Sequence, residues 1–141
     1  MKKAVLSMFL AAVFCLATSA ETYKVALGDV AAMLEEANPG DTIFVKDGVY
    51  ENISLRWSAD AGKDSPVVVI AENRGKVVIT GESQLKIYGK GLTVSSLVFR
   101  DGHLSRGTVV EFRNGDNLAH ECRMTDCVID SYNPKRRDVS Y

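Results

Sequence analysis

Lys135-Arg136-Arg137 is a run of three adjacent cations, set just after Tyr132-Asn133-Pro134. Arg106 and Arg113 lie upstream on segments that read as loops or short strands. Guanidinium groups grip carboxylates through paired N–H donors, so such a cluster could hold the acid groups of a polyanion. Lys135, Arg136, Arg137 and Arg113 are therefore the candidate binding residues, against the ordinary alternative of a solvated basic loop. Other groups carry less. His103 and His120 sit near turns without a helix-spaced partner, which is the setting of a solvated loop histidine. Asp101, Asp116, Asp126 and Asp130 are scattered, without the spacing of a calcium loop, and Asp in such turns ordinarily serves the backbone. No Ser-His-Asp order, phosphate-cradling glycine loop or HExxH pattern is present.

The elements that would carry these residues begin after a leader. Lys2 and Lys3 precede a nearly apolar run from Ala4 to Ala17, and Thr18-Ser19-Ala20 offers small residues before Glu21. This is the pattern of a secretory signal peptide over residues 1–20, too short in its apolar run to span a membrane. Val13-Phe14 before Cys15 are too bulky for a lipid-attachment site. A secreted or periplasmic protein is expected. Without residues 1–20 the chain keeps 15 basic and 18 acidic residues, a net of −3. That balance argues against a nucleic-acid partner but leaves room for an anionic polysaccharide bound by a local basic cluster. No membrane partner is expected, and nothing in the sequence sets the oligomeric state.

Residues 21–141 suit one modest core. Val30 to Ala37 reads as one short helix, with Val30, Met33, Leu34 and Ala37 on one face, Asp29 at the N-cap and Pro39-Gly40 as its stop. After it come only short β-rich runs: Thr42–Val45, Ile53–Leu55, Val67–Ala71, Val77–Thr80, Leu85–Tyr88, Leu92–Phe99, Val109–Phe112 and Met124–Ile129. Gly, Asp, Asn and Ser separate them, as in Gly81-Glu82-Ser83, Gly89-Lys90-Gly91 and Asn114-Gly115-Asp116. Cys122 and Cys127 would stand about 17 Å apart on one extended strand, too far to bridge. Two buried thiols are expected, with a disulfide as the open alternative.

A sandwich or barrel would carry regular hairpin turns, whereas a parallel β-helix would repeat every coil. Sliding the chain on itself lays "LTVSSLVF" from Leu92 over "CRMTDCVI" from Cys122, pairing Val94 with Met124, Leu97 with Cys127 and Phe99 with Ile129. "QLKIYGKG" from Gln84 similarly overlays "TVVEFRNG" from Thr108, with Leu85 on Val109 and Ile87 on Glu111. The two offsets differ, so an insertion is expected, placed at Ala119 to Cys122. The fold expected is all-β: a right-handed parallel β-helix of the pectin-lyase type. The helix lies as a lid over the apolar end of about four coils.

The order "PGDTIFVKDGVYEN", "SPVVVIAENRGKVVITG", "LKIYGKGLTVSSLVFRDG" and "CRMTDCVIDSYN" resembles the N-terminal part of the polysaccharide lyases of family six, the alginate lyases and chondroitinase B. The tail "DSYNPKRRDVSY" looks more like the alginate-cleaving members. The resemblance implies β-elimination on a uronate-containing polysaccharide, alginate first and dermatan or chondroitin sulfate B second. A base removes the C5 proton of the uronate, the C4 oxygen leaves, and cations neutralise the carboxylate. It also implies calcium in the complete enzyme, a Lys base and an Arg, all on later coils. No position here matches them, so no catalytic or metal residue is carried over. With no sign of a C-terminal cap, a C-terminally truncated, inactive front end is expected. A carbohydrate-binding or adhesive β-helix module, or another pectate-lyase-like enzyme, are the alternatives.

Overall fold

A computed structural model describes residues 19–133. Most of the expected signal peptide and all of Lys135-Arg136-Arg137 lie outside them. Strand β1 (Thr22–Val25) leads through a single 3-10 turn into helix α1 (Val30–Glu36). The first coil then runs β2 (Thr42–Val45), β3 (Gly48–Glu51) and β4 (Ser54–Asp60). The second is β5 (Val67–Ala71), β6 (Val77–Gly81) and β7 (Gln84–Lys90). The third is β8 (Leu92–Ser95), β9 (Val98–Gly102), β10 (Val110–Glu111), β11 (Arg113–Asn114) and β12 (Asn117–His120). A fourth is represented by β13 (Arg123–Thr125) and β14 (Val128–Asp130).

Corresponding strands stack in parallel. Sheet A holds β1, β2, β5, β8 and β13 in that order, sheet B holds β3, β6, β9 and β14, and sheet C is built on β4 and β7. This is a parallel β-helix, with three complete coils among the described residues where about four were expected. The register shows why the chain folds so. Ile43, Val69 and Val94 stack as one buried column, and Leu55, Leu85 and Trp57, Ile87 form two more. Alternation along each short strand therefore sends every second side chain inward onto its copy one coil away. Trp57 is wholly buried in the core.

The helix seals one end. Val30 and Leu34 are buried with Met33 and Ala37 half-buried against the same core, and each of the buried pair contributes about 1.5–3 kcal/mol. Asp29 does stand at the N-cap, but its side chain makes no capping bond because a 3-10 turn already leads the chain in. Another aspartate does the tying. Asp41 is fully buried, and its carboxylate accepts the backbone N–H of Asn38 at 2.8 Å and of Glu21 at 2.7 Å. The turn Asn38-Pro39-Gly40-Asp41, with Gly40 at φ +93, thus fastens the helix exit to β1.

Corners of the coil use left-handed residues. Asn52, Ser96, Asp101, Glu121, Asp126 and Ser131 all have positive φ without being glycine. Ser96 breaks the expected single strand Leu92–Phe99 into β8 and β9, and Asp126 does the same one coil later between β13 and β14. A residue absent from the expected core closes the fourth rung. The Tyr132 hydroxyl donates to the Gly81 carbonyl at 2.7 Å and accepts the Ser83 N–H at 2.9 Å. Its ring meets Phe99 edge-on at 6.3 Å and lies where any Cβ on Gly102 would fall, 2.3 Å away.

Replacing Tyr132 by Phe keeps the ring and strands the buried Ser83 N–H. Urea unfolding should therefore show a loss of about 1–3 kcal/mol. An unchanged midpoint would mean that water, not the phenol, serves that corner.

Candidate functional site

The outer face of sheet A carries a cleft of about 630 Å³. Val68, Thr93 and Arg123 form its floor as one outward column, because register places each opposite the last. The loop leaving β4 supplies Lys63 and Pro66 as one wall, and Glu121, Cys122 and Thr125 complete the other side. Lys63 and Arg123 are exposed, and neither forms an ion pair among the described residues. Glu121 is engaged by Lys90 at 3.9 Å. The cleft thus presents two free cations beside small polar groups, an arrangement that can hold carboxylates at a solvent-exposed surface.

Of the expected site residues, Lys135, Arg136 and Arg137 lie outside the described residues, and Arg113 falls elsewhere. Arg113 lies on β11, and its Nε and Nη2 both donate to the Gly115 carbonyl, at 2.9 and 2.8 Å. Its fork is spent on its own hairpin, and it lines neither this cleft nor the smaller one on sheet C. Sequence reading missed Lys63 and Arg123 because they are far apart in the chain; only the coil register joins them. The legible signal was the 30-residue overlay, which sets Arg123 on Thr93.

The aspartates behave as corner residues. Asp101 and Asp126 occupy left-handed turns, Asp126 pairs with Arg74 at 3.7 Å and Asp130 with Arg100 at 3.7 Å. Among the described residues no group of three His, Cys, Asp or Glu could hold a metal ion. The donors among the described residues do not fit a calcium site. His103 donates its backbone N–H to Gly81, while His120 is exposed on β12.

Cys122 and Cys127 are both free thiols, as expected, which sets aside the disulfide, and they are half-buried rather than buried. Both pack against the core from the last described rung. Cys122 Sγ donates to the carbonyls of His120 at 3.4 Å and Gly89 at 3.7 Å. Burial pushes the Cys127 thiol up, partly offset by the backbone N–H groups of Leu97 and Ser96.

A family model described as Chondroitinase B matches residues 26–140. The chain belongs to that family. Solved structures agree. A mannuronic acid specific polysaccharide family 6 lyase from human gut microbiota is 35% identical, with a TM-score of 0.69, over 79% of this chain and 26% of that one. The PL6 family alginate lyase AlyGC is 35% identical, with a TM-score of 0.72, over 80% of this chain and 16% of that one. A PL6 family polysaccharide lyase from Pseudopedobacter saltans is 25% identical, with a TM-score of 0.73, over 84% and 27%. The chain spans no more than about a quarter of the length of these relatives. No curated protein matches it.

The thiol makes a direct check on the last rung. Alkylation of Cys127 followed against pH by mass spectrometry should give a midpoint above the ordinary thiol value of 9.0. A midpoint at or below 9.0 would mean that the rung is open to water.

Proposed function

We propose that this chain is the N-terminal part of a secreted polysaccharide lyase that cleaves a uronate-containing polysaccharide by β-elimination. Mannuronate-rich alginate is the favoured substrate, with dermatan or chondroitin sulfate B second. The observation that carries the reading is the shared identity of 35% with a mannuronic acid specific lyase and with an alginate lyase, each over about four-fifths of this chain. Export is supported by the Lys2-Lys3 start, the apolar run and the small residues before Glu21.

In this reading the described residues do the structural half of the work. Helix α1 closes the stack, and the coils set the register from which later strands would grow. The sheet A cleft holds uronate carboxylates through Lys63 and Arg123. Calcium, which the reading assigns to the complete enzyme, would be held by residues other than those described. Elimination also requires a free base beside the uronate C5, and the one carboxylate of the described cleft, Glu121, is engaged by Lys90. The chain by itself is therefore a binder without turnover, and Lys135, Arg136 and Arg137 remain proposed contributors to that binding.

The test incubates the purified chain with polymannuronate, polyguluronate and dermatan sulfate, following the ultraviolet absorbance of the unsaturated uronate product. No absorbance should develop, while polymannuronate binds weakly and salt-sensitively. Arg123→Ala and Lys63→Ala should each weaken binding about two- to fivefold, as expected for exposed charge contacts. Turnover by the chain alone would contradict the division of labour, and preferential binding of dermatan sulfate would reverse the substrate order.

A further inference from the structure

The third coil is longer than the fold requires. Val68 follows Thr42 by 26 positions and Thr93 follows Val68 by 25, yet Arg123 follows Thr93 by 30. The extra residues form a hairpin, β11 on β12, whose turn places Gly115 at φ +62. It interrupts sheet C: Glu111 pairs with Lys86 before it, and Ala119 pairs with Gly89 after it. The coil could close without this hairpin, as the first two do. The hairpin also holds two apolar residues out in solvent, Phe112 at 44% and Leu118 at 51% exposure.

Between the hairpin and sheet C lies a cleft of about 490 Å³. Its lining includes Ser58 and Tyr88, paired side by side across β4 and β7, and Asp116, Asn117, Leu118 and His120 from the hairpin. Tyr88 points away from the core and is half-exposed, because Ile87 beside it takes the inward position. Gly89 leaves the flank of the ring open, and a Cβ there would meet Ser58 Oγ at 2.5 Å. None of the polar side chains of Ser58, Tyr88, Asp116, Asn117 and His120 has a hydrogen-bond or ionic partner among the described residues. An aromatic face with an aliphatic neighbour, ringed by unspent donors and acceptors, matches the alternating apolar and hydroxyl surfaces of a pyranose.

Charge decides which sugar. Of the bordering cations, Lys86 is paired with Glu111 at 3.5 Å and Lys90 with Glu121 at 3.9 Å, while the exposed Arg56, opposite Lys86 on β4, does not line the cleft. Asp116 is the one carboxylate in the lining, and no Lys or Arg lines the cleft. A uronate would meet repulsion there, whereas a neutral sugar offers hydroxyls to that carboxylate.

We propose that this cleft is a binding site for an uncharged hexopyranose oligosaccharide, on a different sheet from the carboxylate-binding cleft and independent of it. The pyranose ring stacks on Tyr88, its hydroxyls bond Asp116, Asn117 and His120, and the hairpin exists to build the wall. Such a site would hold the protein on a mixed glycan matrix beside its charged substrate.

The experiment titrates the isotope-labelled full chain with cellohexaose, mannohexaose and maltohexaose, and separately with hexamannuronate, reading backbone amide shifts. At least one neutral hexaose should shift Gly89, Asn117, Leu118 and His120, and hexamannuronate should leave them still. Tyr88→Ala and the exposed Asn117→Ala should each weaken the neutral sugar about tenfold. Asn117→Ala decides alone if the other variant fails to fold. No shift with any of the three, an undiminished shift in the folded variants, or equal binding of hexamannuronate at these amides would overturn the site. Shifts at Arg123 or Lys63 report the other cleft, so failure of one reading is distinguishable from failure of the other.

Discussion

A parallel strand in this stack satisfies its backbone only through the coil before it and the coil after it. Each coil must therefore return to the same register, and almost every other feature answers to that condition. Short strands of β-branched residues keep the inward columns Ile43–Val69–Val94 and Leu55–Leu85 in contact. Left-handed corners at Asn52, Ser96 and Asp126 turn the chain sharply enough to come back on itself. Where no earlier coil exists, β1 pairs with β2 and α1 covers the apolar cross-section, with the buried Asp41 carboxylate fastening the two. A backbone ladder tolerates an insertion only where it leaves the register intact on both sides, and the hairpin of the third coil does so.

That same condition sorts the surface into faces. Residues far apart in sequence become neighbours through the register, as Arg123 on the Val68–Thr93–Arg123 column and Lys63 on the loop beside it do on sheet A. The two clefts differ because the sheets differ. The cleft on sheet A is lined by two unpaired cations, while the cleft on sheet C is lined by an aromatic, a hairpin and one carboxylate. Binding functions on such a scaffold are grafted onto columns and insertions, leaving the inward residues free to serve the core alone.

How much was legible follows from the length of the pattern available. Strands Thr42–Val45 and Val67–Ala71 were read with their observed bounds because glycine or proline and charged turns frame them. The overlay of Val94 on Met124 and Phe99 on Ile129 is the observed register. The overlay of Leu85 on Val109 is one residue off, since Leu85 pairs with Val110. A slip of one exchanges inward and outward faces, and it explains why Ile87 seemed to meet Glu111. The insertion is expected at Ala119 to Cys122, but Ala119 and His120 resume the ladder and Glu121 turns the next corner; the inserted hairpin turns at Asn114-Gly115-Asp116, which reads as a separator. Ser96 gave no warning of a corner, being neither Gly nor Asn. Tyr132 gave none either, because its partners are backbone groups about two coils back. Only its residue type marks Arg113 in the sequence, and no pattern there tells that its fork closes on Gly115.

Amide hydrogen exchange measures the governing register most directly. The slowest amides should be those of the rung bounded on both sides, Val67–Ala71, Val77–Gly81 and Gln84–Lys90. The hairpin turn from Asn114 to Asn117 should exchange fastest within the third coil. Protection of the hairpin equal to that of the second coil, or rapid exchange throughout that coil, would contradict a stack in which each coil is held by its two neighbours.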